Sequence, residues 1–250
     1  MKTEGNTILI TGGATGIGFA IAQTLLNSGN KVIICGRRVA KLKEAETRLP
    51  QIHTRVCDIS KRKERLELFN WVTDNFNDLN ILINNAGIQK VINLRKGTQD
   101  LLKGGDEIET NLVALIHLSA LFIPFLMDKK EAAIVNVSSG LGFVPRAAFP
   151  VYCATKAAIH SFTLSLRHQL RKTPVKVFEL IPPMVDTELG FGTTGKESLT
   201  YRGISPAEVS TAMLAALAGD NYEIAVGEAN NLVAGSRTDP EGTFQNINSR

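Results

Sequence analysis

Residues 7–27 read TILITGGATGIGFAIAQTLLN. A short β-branched run, Thr7–Thr11, enters a glycine-rich turn, and an amphipathic stretch, Gly18–Asn27, follows at once. Gly12, Gly16 and Gly18 fall between the predicted strand and the predicted helix. Such a turn lets backbone N–H groups approach a pyrophosphate, and the helix start adds a partial positive charge. The spacing is not the G-x-G-x-x-G of the general dinucleotide fingerprint. A plain tight turn would also account for the glycines; the strand–turn–helix context at the start of the domain favours a phosphate cradle.

Outward from this stretch the pattern repeats. Strands are predicted at Thr7–Thr11, Lys31–Cys35, His53–Cys57, Ile81–Ile83, Ala133–Val137, Lys176–Leu180 and Glu223–Val226. Most read as apolar on both faces, as strands covered by two helix layers do. Helices are predicted at Gly18–Asn27, Ala40–Arg48, Arg62–Asn75, Asp106–Met127, Val151–Arg171 and Pro206–Ala218. Regular alternation implies an α/β fold: one doubly wound parallel sheet in a three-layer α/β/α domain spanning residues 1–250. Ile88–Gly105 and Glu188–Ser205 break the rhythm, and both follow strand ends, where open α/β sheets bind ligands. They are candidate substrate walls, together with Gly140–Phe149. Leu141, Phe143, Leu189 and Phe191 stand in these walls with few charges, so a largely uncharged substrate is expected.

The chain carries 28 Lys and Arg against 24 Asp and Glu, a mild excess of +4 that an ordinary solvated surface explains. No basic cluster is interleaved with aromatics, so nucleic-acid binding is not expected. Cys35, Cys57 and Cys153 have no metal-site spacing and read as buried reduced thiols. His53, His117, His160 and His168 are scattered without a ligand set, so no metal is expected. Met1–Asn6 is short and polar, which fits no signal peptide. No apolar run reads as long enough to cross a membrane. The cytoplasm is the expected compartment.

The second strand ends in Gly36-Arg37-Arg38, where dinucleotide folds usually place the carboxylate that holds the adenosine ribose. Two guanidinium groups suit forked bonds to a phosphate instead. Cations are also mildly unfavourable at a helix start, which implies an anion nearby. NADP(H) rather than NAD(H) is therefore expected. Further on, Tyr152 and Lys156 stand four apart in a helical pattern and share one face. An ammonium near a phenol lowers its pKa and improves it as an acid–base group. Ser139 closes the strand before them.

TGxxxGxG at 11–18, NNAG at 84–87, Asn111, Ser139 and YxxxK at 152–156 occur together and in this order. The whole chain resembles the single-domain short-chain dehydrogenase/reductase family. The runs KVIICGRR and IVNVSSGL further resemble the DltE-like oxidoreductases, a type found beside lipoteichoic-acid D-alanylation genes. The resemblance implies a Rossmann-type fold and hydride exchange between NADP(H) and a carbonyl or alcohol. Tyr152 would be the proton donor, and Lys156 would lower its pKa and bond the nicotinamide ribose. Ser139, thirteen residues before Tyr152 and preferred over Ser138 for that spacing, would hold the substrate oxygen. Asn111 would support a water linking Lys156 to solvent. Gly12, Thr15, Gly16, Ile17 and Gly18 would form the phosphate turn, and Asn85, Ala86 and Gly87 the adenosine side of the groove. Asp58 and Ile59 would meet the adenine, although Asp58 also suits a helix cap. Val185 and Thr187 would meet the carboxamide and phosphates; Pro183 stands where the family usually has Gly, and Pro stiffens that loop. Paired long helices, Asp106–Met127 and Val151–Arg171, imply a homodimer or homotetramer. A sensor that binds NADPH on this fold with little turnover is the alternative. Epimerases and dehydratases of the fold carry a longer substrate domain after the sixth strand.

Overall fold

The computed structural model describes residues 1–191 and 203–249. Seven parallel strands form one sheet: β1 (Thr7–Thr11), β2 (Lys31–Gly36), β3 (His53–Val56), β4 (Leu79–Asn84), β5 (Ala132–Val137), β6 (Val175–Ile181) and β7 (Glu223–Ala225). Their order is β3-β2-β1-β4-β5-β6-β7. The winding reverses between β1 and β4, and the crevice of such a sheet opens at that switch point, beyond the carboxyl ends of the strands.

Alternation along each strand sends its residues into two cores. Ile8 and Ile10 of β1 and Val32 and Ile34 of β2 face one side. That side is covered by α1 (Gly16–Asn27) and α2 (Val39–Arg48), with Pro206–Ala218 packed on α1 through Val209 and Met213. Leu9, Ile33 and Cys35 face the other side. There α3 (Arg62–Asn75), α4 (Ala114–Met127) and α5 (Pro150–Leu170) contribute Leu68, Phe122 and Leu166. Burial of these side chains stabilises each layer by roughly 1.5–3 kcal/mol per large residue. The remaining helices are α6 (Glu188–Phe191), α7 (Pro206–Ala218), α8 (Ala229–Thr238) and α9 (Pro240–Asn248).

Several expectations need correction. β3 is not apolar on both faces: His53, Arg55 and Val56 are exposed, because β3 is a sheet edge. The helix expected to start at Asp106 opens as a π-helical turn, Ile108–Val113, and becomes α-helical at Ala114. The continuous helix Ile108–Met127 is long and apolar enough to cross a membrane, against the reading of the sequence. Here it lies in the helix layer, with Leu115, Leu118, Phe122 and Leu126 buried against the sheet. Helices α8 and α9 were not anticipated; their Asn- and Gly-containing stretches hide the helical period. The three cysteines are free and buried, as expected.

Candidate active site

A cleft of about 360 Å³ opens at the switch point. Gly12 and Gly16 adopt φ of 65° and 55°, which glycine tolerates and other residues resist. A Cβ on Gly18 would stand 2.4 Å from the Gly12 carbonyl oxygen and 2.5 Å from Asn85 Nδ2. The turn is therefore packed directly on the β4 end. Thr11 ties the two together: its Oγ1 accepts from the backbone N–H groups of Asn85 and Ala86 at 3.0 and 3.1 Å. Asn85 Nδ2 in turn donates to the Thr11 carbonyl at 2.9 Å. This backbone cradle, open to a cleft and bordered by glycines, fits a pyrophosphate-bearing dinucleotide.

The cleft collects most of the expected cofactor residues: Gly12, Thr15, Gly16, Ile17, Gly18, Arg37, Arg38, Asp58, Ile59, Asn85, Ala86, Gly87, Tyr152, Lys156 and Thr187. Val185 is the exception. It is buried and bridges Ile204, packing into the core instead of facing the cleft. Thr187, two residues on, lies against Gly16. Asp58 uses one carboxylate oxygen on the backbone and hydroxyl of Ser60. Burial pushes its pKa up, but those bonds and the charges of Arg37 and Lys61 outweigh it and hold the group low. The anion beside Arg38 is a protein carboxylate: Glu188 Oε2 lies 2.7 Å from Arg38 Nη1. Arg38 also donates to Thr15 Oγ1.

At the inner end, helix α5 presents Tyr152 and Lys156 on one face, both buried. Lys156 Nζ donates to the Val137 carbonyl at 2.8 Å and sits 5.5 Å from the Tyr152 ring centre. Burial pushes Tyr152 up to about 12, only partly offset by the Ser139 hydroxyl. Burial likewise brings Lys156 down to about 8. Lys156 is not among the groups that shift Tyr152: burial is the first cause for both, and the Lys156 ammonium is turned to a backbone carbonyl. Of the two serines, Ser139 is the one beside Tyr152, while Ser138 Oγ donates to Glu179. Asn111, in the π-helical turn, is held by Ile88: its Oδ1 accepts from the Ile88 N–H and its Nδ2 donates to the Ile88 carbonyl. A Cβ on Gly87 would lie 3.4 Å from Asn111 Oδ1 and 3.7 Å from Lys156 Nζ, so these groups converge.

The candidate walls are placed unevenly. Of Ile88–Gly105 only Ile88 lines the cleft; the rest includes a short 3₁₀ helix, Leu94–Lys96, with Lys90 Nζ reaching the Leu101 and Lys103 carbonyls and the Ile92 N–H the Ala148 carbonyl. Glu188 and Leu189 line the cleft, whereas 192–202 and the Phe191 side chain lie outside the described residues. Leu141 and Phe143 do not line it; Phe143 packs on His160. Among the described residues no His, Cys, Asp and Glu cluster suits a metal. Three carboxylates near the cleft went unread in the sequence: Glu107, Glu179 and Glu188. Glu179 had a signal, the one carboxylate in β6 (VKVFELI), flanked by Phe178 and Leu180.

The family model for short chain dehydrogenases matches residues 6–198. The chain belongs to the short-chain dehydrogenase family. A full-length relative, the uncharacterized oxidoreductase DltE of Bacillus subtilis (strain 168), is 52% identical over 250 residues, covering all of this chain and 99% of the relative. The chain is thus a DltE-like oxidoreductase of the short-chain type. A short chain dehydrogenase from Burkholderia cenocepacia J2315, solved in complex with NADP, superposes with a TM-score of 0.80 at 26% identity and 99% coverage of both chains. One from Burkholderia phymatum, solved in complex with NAD, shares the fold at a TM-score of 0.81 and 21% identity, covering 95% of this chain and 93% of its own.

Proposed function

We propose that this short-chain dehydrogenase uses NADP(H) to exchange a hydride with a carbonyl or alcohol substrate. The observation that carries the reading is the buried Tyr152–Lys156 pair on one face of α5, at the inner end of a cleft whose outer end holds Arg37 and Arg38 and no carboxylate on β2. When bound, nicotinamide supplies or accepts the hydride. The protein's part is to bind, orient and move a proton. In reduction, Ser139 and Tyr152 hydrogen-bond the substrate oxygen as negative charge grows on it, and Tyr152 gives up its proton to it. A phenol held near 12 is protonated at neutral pH, as a donor must be. Lys156 would hold the nicotinamide ribose, and Asn111 keeps Ile88, in the loop after β4, and the Lys156 surroundings in place. The structure of the Burkholderia cenocepacia relative with NADP supports the cofactor, and Glu188 would yield Arg38 to a 2′-phosphate.

Titrating NADPH and NADH into the purified protein tests the cofactor. Charge-assisted bonds of about 1.5–3 kcal/mol predict roughly ten- to a hundredfold tighter NADPH binding; equal affinities or an NADH preference would defeat it. NADPH absorbance loss with ketones, aldehydes, quinones and diketones separates an enzyme from a sensor that binds without turnover. Exposed Val113, Ile116, Met127 and Leu164 on the α4 and α5 layer support a homodimer or homotetramer built there. Light scattering that gives only a monomer at micromolar concentration would rule out the assembly.

A further inference from the structure

Strand β6 carries one charge that the fold does not require. Glu179 has no exposed surface, and its neighbours Phe178, Leu180 and Ile181 are fully buried apolar residues. Burying a carboxylate in a sheet core is costly unless it is paired and hydrogen-bonded. Both its oxygens are used. Ser138 Oγ donates to Oε1 at 2.6 Å, and His160 Nδ1 lies 2.8 Å from Oε2.

These partners lead back to the candidate catalytic pair. Ser138 follows the end of β5 and lines the cleft floor. The carbonyl of the preceding residue, Val137, accepts the Lys156 ammonium, and the next residue, Ser139, sits beside Tyr152. His160 lies one helical turn beyond Lys156 on α5, partly exposed and packed at a tilt against Phe143. A chain of contacts thus runs from the cleft floor through a buried carboxylate to a solvent-reaching imidazole.

We propose that Glu179 is a positioning residue for the Tyr152–Lys156 pair: through Ser138 it pins the end of β5, whose Val137 carbonyl holds the Lys156 ammonium, and it places a buried carboxylate behind that pin, with His160 as its solvent-facing partner. The proposal rests on the reading of Lys156 as a working residue of the cleft. Burial drives Lys156 toward its neutral form, and the Glu179 charge opposes that. The hydrogen bond to Glu179 in turn raises the pKa of His160. The other charges facing His160 are Glu223 of β7 and Arg237 of α8, which pair with each other at 3.0 Å.

The test is the titration of Lys156 in the full-length, ligand-free protein, followed by NMR of ¹³Cε-labelled lysine and assigned with Lys156→Arg. The wild-type midpoint should lie near 8. Glu179→Gln keeps an oxygen for Ser138 but removes the charge, so the midpoint should fall by about one pH unit or more, a tenfold change. Glu179→Asp, which restores the charge, should recover most of that fall. An unchanged Lys156 midpoint in folded Glu179→Gln overturns the proposal. Should Glu179→Gln not fold, Glu179→Met, an apolar side chain of similar length, removes the same charge and should lower the Lys156 midpoint likewise; no fall overturns the proposal. Failure here leaves the functional reading standing, because that reading falls instead if Tyr152→Phe retains turnover.

Discussion

Lys156→Met removes a charge that the fold holds at a cost, and the cost can be worked from the structure. Burial moves the Lys156 pKa from 10.5 to about 8. At ~1.4 kcal/mol per pH unit this corresponds to ~3 kcal/mol of destabilisation wherever the folded protein must keep the proton. The sign follows from proton counts. Below pH 8 both folded and unfolded chains bind the proton, so the full penalty applies. Between 8 and 10.5 the unfolded chain still binds it while the folded chain has released it, and wild-type stability rises with pH. Methionine has a similar length and no proton, so it lacks this dependence. It also leaves the Val137 carbonyl without its Lys156 donor, an offset of ~1–3 kcal/mol that does not change with pH. Urea unfolding of both proteins at one protein concentration, at pH 7 and pH 10, isolates the pH-dependent part. The difference in stability between variant and wild type should shift by ~2 kcal/mol or more toward wild type at the higher pH. A difference constant to within ~0.5 kcal/mol would show that Lys156 is not desolvated, and the account of its burial would fail.

Tyr152→Phe should lower turnover roughly 10²–10⁴-fold on any substrate found in the carbonyl panel, with NADPH affinity nearly unchanged; near wild-type turnover would refute the acid–base assignment. Gly18→Ala places a methyl 2.4 Å from the Gly12 carbonyl oxygen, so thermal unfolding should report ~1–3 kcal/mol of destabilisation and NADPH titration a weaker complex. Wild-type behaviour in both assays would mean that the turn is not packed on the β4 end. Ser205 caps α7 in a reciprocal capping box with Glu208, and Ser205→Ala should cost ~1 kcal/mol in urea unfolding without altering NADPH binding.

The element order, the parallel sheet and the phosphate turn were legible in the residues because each is local: β-branched runs, glycines at a strand end and helical periods act over a few positions. The pairing of Tyr152 with Lys156 was legible for the same reason, since four residues make one helical turn. The placing of Val185 is a tertiary matter: a residue two positions from Thr187 can turn its side chain either to the cleft or to the core, and beside the bridge to Ile204 it packs in the core. Arg38 has a second partner for a similar reason: its guanidinium is read in the sequence as facing a phosphate, and only the return of the chain after β6 brings Glu188 to it from 150 positions away. The charge state of the site lay furthest from the sequence. Tyr152 and Lys156 move toward their neutral forms because the fold strips both of water, and the contact joining Glu179 to Ser138 and His160 forms only when β5, β6 and α5 are packed together. Residue identity determined which chemistry was available, and burial, a property of the assembled layers, decided where the protons rest.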